Sequence, residues 1–335
     1  MSLVAGTPAE RTDNASPELT RFPGPGAISV ILAGLLAVFV RPVIALFARF
    51  PNARWPFGWV DRAALLLPRP RRVTRRQVVL PHCRAELLTP RTALGDPTSV
   101  LLYLHGGGFI TCGLRTHRRL VADVARAAGQ PALAIDYRQL PQHGLSEALD
   151  DAVDGFRALL ARGYAPGDIS IVGDSAGGYL TVATALTVAR LGLGQPAAAV
   201  LMSPMTSVDP NLPVADGARD PLLTGASVAA LSRKLATKPG PPGAALPLPR
   251  LAGADLTGLP PTLIQVGTRE VLRDGAEELA TGIAAAGVPC ELQVWEGQFH
   301  VFQAAAPVLA PARRAVAEIG DFLRRTRVGV GGGRR

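Results

Sequence analysis

Residues 168–182 read DISIVGDSAGGYLTV. A short β-branched run, Ile169, Ile171 and Val172, leads into Gly173-Asp174-Ser175-Ala176-Gly177, and a helix-like run follows. G-x-S-x-G between a strand and a helix is the context of a nucleophile elbow. A serine held on so sharp a turn sits in strained backbone, and Gly173 and Gly177 let strand and helix pass closely. The turn is expected to lift the Ser175 hydroxyl clear of the sheet. It also puts the N–H of Ala176 at a helix N-terminus, where negative charge is favoured. The motif also arises by chance, so its weight depends on the rest of the chain.

Working outward, apolar runs and helical periodicities alternate. Val78–Leu80 and Ala85–Leu88 read as an antiparallel pair, and Ser99–Leu104 as an apolar strand entering His105-Gly106-Gly107-Gly108-Phe109. A helix over His117–Ala128, a strand over Pro131–Asp136 and a helix over Glu147–Arg162 follow. Past the elbow come a helix at 176–190 and a strand at Ala197–Met202. The Pro- and Gly-rich residues 204–258 carry a helical piece near 226–236 and read as a lid insertion. Pro261–Val266 and Glu291–Trp295 are the last strands, separated by a helix at 275–286 and followed by one at 309–325. This alternation predicts an α/β fold with a mostly parallel sheet covered by helices on both faces.

At 335 residues the chain suits one large α/β domain with an added lid. With 48% hydrophobic and 18% charged residues it is globular for most of its length. The net charge of +9, with arginine far in excess of lysine, raises nucleic acid as a partner. The arginines are dispersed, however. The one dense group (Arg69, Arg71, Arg72, Arg75, Arg76) lacks interleaved aromatics, which argues against nucleic acid and for an anionic membrane surface. Cys83, Cys112 and Cys290 are odd in number and lack metal-ligand spacing. The reading is no disulfide framework, no metal, and a reducing cytoplasm.

Residues 1–26, rich in Pro, Gly, Thr and Ser, read as a mobile segment, and 326–335, ending VGVGGGRR, as a flexible tail. Residues 27–72 read as apolar lid or membrane-interface helices ahead of a catalytic domain at 73–325. Within them AISVILAGLLAVFV (27–40) is uncharged. It falls short of the about 20 residues a span needs unless it continues through Val43–Ala48. Glu10, Asp13 and Glu18 upstream disfavour a secretory signal. Three readings stay open: a lid helix over an apolar pocket, an interfacial membrane helix, and a true span. Trp55, Phe57 and Trp59 suit either a lid rim or a bilayer interface.

Acyl transfer by serine needs a base, an acid to orient it, and donors for the oxyanion. His82 precedes the sheet proper, His105 belongs to the glycine turn, His117 starts a helix and His143 sits before the elbow. His300 alone follows the last strand, in a loop of the kind where open α/β sheets place reactive groups. After strand 261–266, Glu270 lies in the immediate turn and Asp274 at the start of the next helix, where capping is the ordinary role. Glu270 is favoured and Asp274 stays open. Asp216, Asp220 and Asp255 read as turn or cap residues. Three glycines after a buried strand point to an oxyanion loop, with Gly107, Gly108 and Ala176 as donors.

HGGGF (105–109), GDSAGG (173–178), DYRQLP (136–141), GLPPTLIQVG (258–267) and FHVFQ (299–303) together resemble the hormone-sensitive-lipase-like esterases of the α/β-hydrolase superfamily. The likeness spans about residues 73–325. It implies the α/β-hydrolase fold, a carboxylesterase acting on small acyl esters of short to medium chain, an N-terminal lid and no cofactor. Ser175 matches the nucleophile, His300 the base, Glu270 the acid, and Gly107, Gly108 and Ala176 the oxyanion donors. His105 and Asp174 match supports of the motifs. The chain departs from the family pattern at QLPQHGLSEA (139–148), where a segment like LAPEHPFPAA is usual, and Asp is commoner than Glu at the acid site. The N-terminal extension is also longer and more apolar than in compact members. An amide hydrolase or deacetylase on the same machinery, and a non-catalytic binding protein on the same scaffold, stay open. So do the oligomeric state, a dimer included, and a membrane contact through 27–59.

Overall fold

The computed structural model describes residues 16–66, 70–93, 98–212, 219–238 and 248–331, the last four of them by backbone alone. Arg69, Asp216 and the parts of the lid insertion at 213–218 and 239–247 lie outside the described residues. In chain order the elements begin with β1 (Glu18–Phe22), α1 (Ala27–Leu35), a π-helical turn at Leu36–Val40, α2 (Arg41–Arg49) and α3 (Gly58–Ala63). They continue with β2 (Val73–Val79), β3 (Arg84–Pro90), β4 (Val100–Leu104), α4 (Leu114–Ala128), β5 (Ala132–Asp136) and α5 (Leu145–Leu160). The elbow joins β6 (Ile169–Asp174) to α6 (Ala176–Arg190), followed by β7 (Ala198–Met202) and α7 (Gly225–Ala236). The chain closes with β8 (Thr262–Gly267), α8 (Arg273–Ala285), β9 (Cys290–Trp295) and α9 (Ala310–Gly331).

Nine strands form one sheet in the order β1-β9-β8-β7-β6-β4-β5-β3-β2, and only β3 runs against the others. The central strands are apolar on both faces, as a doubly covered parallel sheet requires. Along β4, Val100, Leu102 and Leu104 enter the core under α5, α6 and α8, while Leu101 and Tyr103 enter the core under α4 and α9. Helix α6 is buried along most of its length. It has no polar face to offer water because it sits between the sheet and α5.

Two expectations change. Glu18–Phe22 is not mobile: it adds β1 to the sheet edge in parallel with β9, and Phe22 stacks on Trp295 with ring centroids 3.8 Å apart. Four of its five residues face solvent, so its sequence carries no strand signature. The closing helix also passes 326 and reaches Gly331. Phe322 and Leu323 anchor it in the core, and Thr326 Oγ1 donates back to Phe322 O at 3.2 Å. The expected flexible segments at 1–15 and 332–335 lie outside the described residues.

The N-terminal segment carries the chain from the β1 edge of the sheet to the β2 edge. Ala33 of α1 packs into the α4/α9 core, and Phe47 of α2 into the opposite one. Beyond α2, Trp55 and Phe57 pack around Phe47. Phe57 O accepts from Thr111 Oγ1 at 3.3 Å, which brings the segment beside the glycine loop.

Candidate active site

Five neighbouring parallel strands, β9-β8-β7-β6-β4, end at the same rim of the sheet, and each delivers a residue of interest. Ser175 follows β6 with φ 53° and ψ −119°, a conformation costing a non-glycine residue about 1–3 kcal/mol. The elbow holds it there by small neighbours and by backbone bonds to the end of β7 and the residues just after it. A Cβ at Gly173 would run into the Gly177 carbonyl, and one at Gly177 into Leu104 O. Ser175 N–H donates to Met202 O at 2.9 Å, and Ser175 O accepts from Met205 N–H at 3.0 Å.

His300 Nε2 lies 2.9 Å from Ser175 Oγ, and its Nδ1 lies 3.0 Å from Glu270 Oε2. The three side chains expected at distant points of the sequence therefore form one hydrogen-bonded chain. Asp274 does not join it: it sits in the first turn of α8 and lines a cavity of 220 Å³ with Arg250 and Glu278. Neither Ser175 nor His300 borders that cavity. Burial pulls His300 toward its neutral form, but the hydrogen bond and charge of Glu270 outweigh burial. The imidazole pKa is raised above its usual 6.5.

One contributor escaped the sequence reading. Ser203, fully buried at the end of β7 with φ 48°, donates its hydroxyl to Glu270 Oε1 at 2.8 Å and accepts from Val301 N–H at 3.0 Å. It joins the acid loop to the base loop. Gly267 N–H donates to the same Oε1 at 2.6 Å. The only sequence signal for Ser203 was its place, the first polar residue past a buried strand adjoining the elbow strand. Asp220 and Asp255 are turn residues as expected, and Asp220 Oδ2 also accepts from Val271 N–H at 3.1 Å.

The glycine loop after β4 lies beside the elbow. Gly107 has φ 114° and Gly108 φ 64°, and a Cβ on Gly107 would strike the Thr111 carbonyl. Their N–H groups, and that of Ala176, donate to no acceptor among the described residues. Behind the loop, His105 stacks on Tyr137 with centroids 4.3 Å apart, and its Nδ1–H donates to Gly106 O at 2.7 Å. Burial, with the neighbouring His117, pushes the His105 pKa down to about 4, so it is a neutral prop. The departing segment after DYR braces the same loop, with Leu140 N–H on Phe109 O at 2.8 Å.

Asp174 is buried beneath the elbow. It accepts from Tyr103 O–H at 2.8 Å and faces His117 Nε2 at 3.2 Å. Burial opposes both charges, but they sustain each other: Asp174 is held below the ordinary carboxylate range, and His117 is raised. His117, read as a helix start, is the salt partner of the elbow motif.

The fold is that of an α/β hydrolase, and the rim of its sheet carries this hydrogen-bonded constellation. A family model described as alpha/beta hydrolase fold matches residues 101–304, and the chain belongs to that family, among the hormone-sensitive-lipase-like esterases. It is 40% identical to "Esterase LipU" of Mycobacterium tuberculosis over 85% of this chain and 98% of the relative. It is 36% identical to "Carboxylesterase/phospholipase LipF" of the same organism over 93% of this chain and 85% of the relative. A crystal structure of an esterase from the bacterial hormone-sensitive lipase family superposes with a TM-score of 0.74. That structure has 33% identity and covers 85% of this chain and 97% of its own. The chain is a carboxylic ester hydrolase.

Proposed function

We propose that Ser175 is the nucleophile, His300 the general base and then acid, and Glu270 the residue that orients and charges His300. The observation that carries this reading is the unbroken chain Ser175–His300–Glu270, at 2.9 and 3.0 Å. Ser175 Oγ attacks the ester carbonyl as His300 Nε2 takes its proton, and the imidazolium is stabilised by Glu270. His300 returns that proton to the leaving alcohol. Water then repeats the sequence on the acyl-enzyme. The free N–H groups of Gly107, Gly108 and Ala176 are the proposed oxyanion donors, each worth about 10²–10³ in turnover.

The proposed substrates are small esters of short to medium acyl chain. Leu231 of α7 lies over Gly108, so the insertion supplies apolar cover beside the proposed donors. Each further CH₂ that is buried there adds about 0.8 kcal/mol, or roughly fourfold in kcat/KM, until the pocket ends. A p-nitrophenyl ester series therefore reads the pocket's depth. Ser175→Ala abolishes turnover of every member and labelling by a fluorophosphonate probe. Turnover retained in that variant sinks the nucleophile assignment. A matched N-acetyl amide hydrolysed as fast as its ester moves the reading to an amidase on the same triad.

A further inference from the structure

We propose that the N-terminal helices dock the enzyme on an anionic lipid bilayer, lying in the plane of the interface instead of crossing it. Ala27–Arg49 forms a 23-residue helical run that is long and apolar enough to cross a membrane by length and composition. It is apolar on both sides. The face toward the protein carries Ser29, Ala33 and Phe47, with Leu32 and Leu36 half-buried beside them. The face toward solvent carries Ile31, Leu35, Phe39, Val43, Leu46 and Phe50, spaced by three or four residues into one stripe. Phe39 is 68% exposed and Val38 65%. A surface helix of a soluble domain turns polar residues outward, so this stripe is built to meet an apolar phase.

Both ends of the run are tied to the same catalytic body. On the α1 side, β1 is paired with β9, and Ser29 Oγ accepts from Gln298 Nε2 at 3.2 Å. On the α2 side, Phe47 is buried, and Lys234 Nζ of α7 donates to Pro51 O at 2.8 Å. A transmembrane path would tear one of these ends away, so the run lies flat. The charge around it selects the lipid. Arg41, Arg49, Arg54 and Arg62 are exposed, and the one acidic residue between Pro23 and Leu66, Asp61, is engaged by Arg115 and the α4 N-terminus. Arg62 lies over Trp59 with its guanidinium 5.7 Å from the ring centroid, and Trp59 is 67% exposed. Cationic and indole groups of this kind settle at the headgroup level.

The test is flotation of the full chain with phosphatidylglycerol-containing and with pure phosphatidylcholine vesicles, read by bound fraction and not by turnover. Failure here thus leaves the esterase reading untouched. The chain floats with the anionic vesicles, weakly with the zwitterionic ones, and is released by salt. Each exposed arginine changed to alanine lowers partitioning about fivefold. Phe39→Glu with Val38→Glu lowers it at least about tenfold, while hydrolysis of a soluble p-nitrophenyl ester is unchanged. No binding to anionic vesicles overturns the proposal. So does a dimer in light scattering that Phe39→Glu dissolves, which would make the stripe a homodimer face. Resistance to alkaline extraction overturns the in-plane orientation.

Discussion

Replacing Glu270 by glutamine tests the proposed mechanism most sharply, because the structure dictates how the amide must sit. Glu270 Oε1 accepts from Gly267 N–H at 2.6 Å and from Ser203 O–H at 2.8 Å. A backbone N–H cannot turn into an acceptor, so in Glu270→Gln the amide oxygen must occupy that place. The new NH₂ then points at His300 Nδ1, which has to accept, and the imidazole proton moves to Nε2, facing Ser175. The base is lost to the wrong tautomer. Restoring the reactive tautomer sets two donors face to face, at about 1–3 kcal/mol, and the charge-assisted bond to the imidazolium is worth about 1.5–3 kcal/mol. Together they raise the barrier by about 2.5–6 kcal/mol, or roughly 10²–10⁴-fold in kcat. KM for p-nitrophenyl butyrate stays within severalfold, because neither group touches the substrate in the ground state. The pH profile adds a second readout. In the parent enzyme kcat/KM falls with acid as His300 protonates, through a pKa above the ordinary 6.5. In Glu270→Gln burial is opposed only by the weaker charges of Asp220 and Asp174, and the acid limb moves to lower pH. Asp274→Asn leaves both readouts unchanged. A Glu270→Gln enzyme within tenfold of the parent, with an unmoved acid limb, refutes the assignment.

Ser203→Ala removes the hydroxyl that joins the acid loop to the base loop, so Glu270 and His300 lose their fixed alignment and kcat falls roughly 10–100-fold with KM unchanged. A kcat within twofold of the parent makes Ser203 a packing residue only. His117→Leu strands the buried Asp174 carboxylate on Tyr103 alone and destabilises the fold by about 3–5 kcal/mol, measured by urea unfolding. The pH dependence of the parent's stability carries the same pair. The Asp174 contribution is present above its unfolded pKa and fades as pH falls through its lowered folded value. The His117 contribution is full below its unfolded pKa and fades as pH rises through its raised folded value. Equal urea midpoints for parent and variant across that window contradict the pair.

The elements legible in the sequence were those whose signal is local. The elbow needs glycines at fixed offsets because a Cβ at Gly173 or Gly177 collides with backbone, so its geometry is written into five consecutive residues. The alternation of apolar runs and helical periods reproduced the central strands to within a residue or two, because both faces of the sheet are buried and the pattern cannot drift. Chain order then picked out His300, and the place of Glu270 in the immediate turn after its strand favoured it over Asp274 at the start of the next helix. What stayed hidden depends on contacts between distant segments. Ser203 looks like any serine leaving a strand until β7 lies between β6 and β8 and sets its hydroxyl against Glu270. β1 has a single buried residue, and its pairing follows from Trp295 offering Phe22 a ring, which no local pattern announces.

The apolar N-terminal stretch shows the same limit in a form that bears on function. A lid helix, an interfacial helix and a span share composition, and hydropathy cannot separate them. Topology can. The two ends of this run are bound to opposite cores of one domain, which favours the proposed in-plane position, and its outward stripe is as apolar as its inward side. The inward side of α1 is small at Ser29 and Ala33 because there it lies close against the loop that carries His300, where Ser29 meets Gln298. The helix thus has two constraints of opposite sign, close packing on the domain and apolarity toward its surroundings. An aqueous environment explains only the first of them.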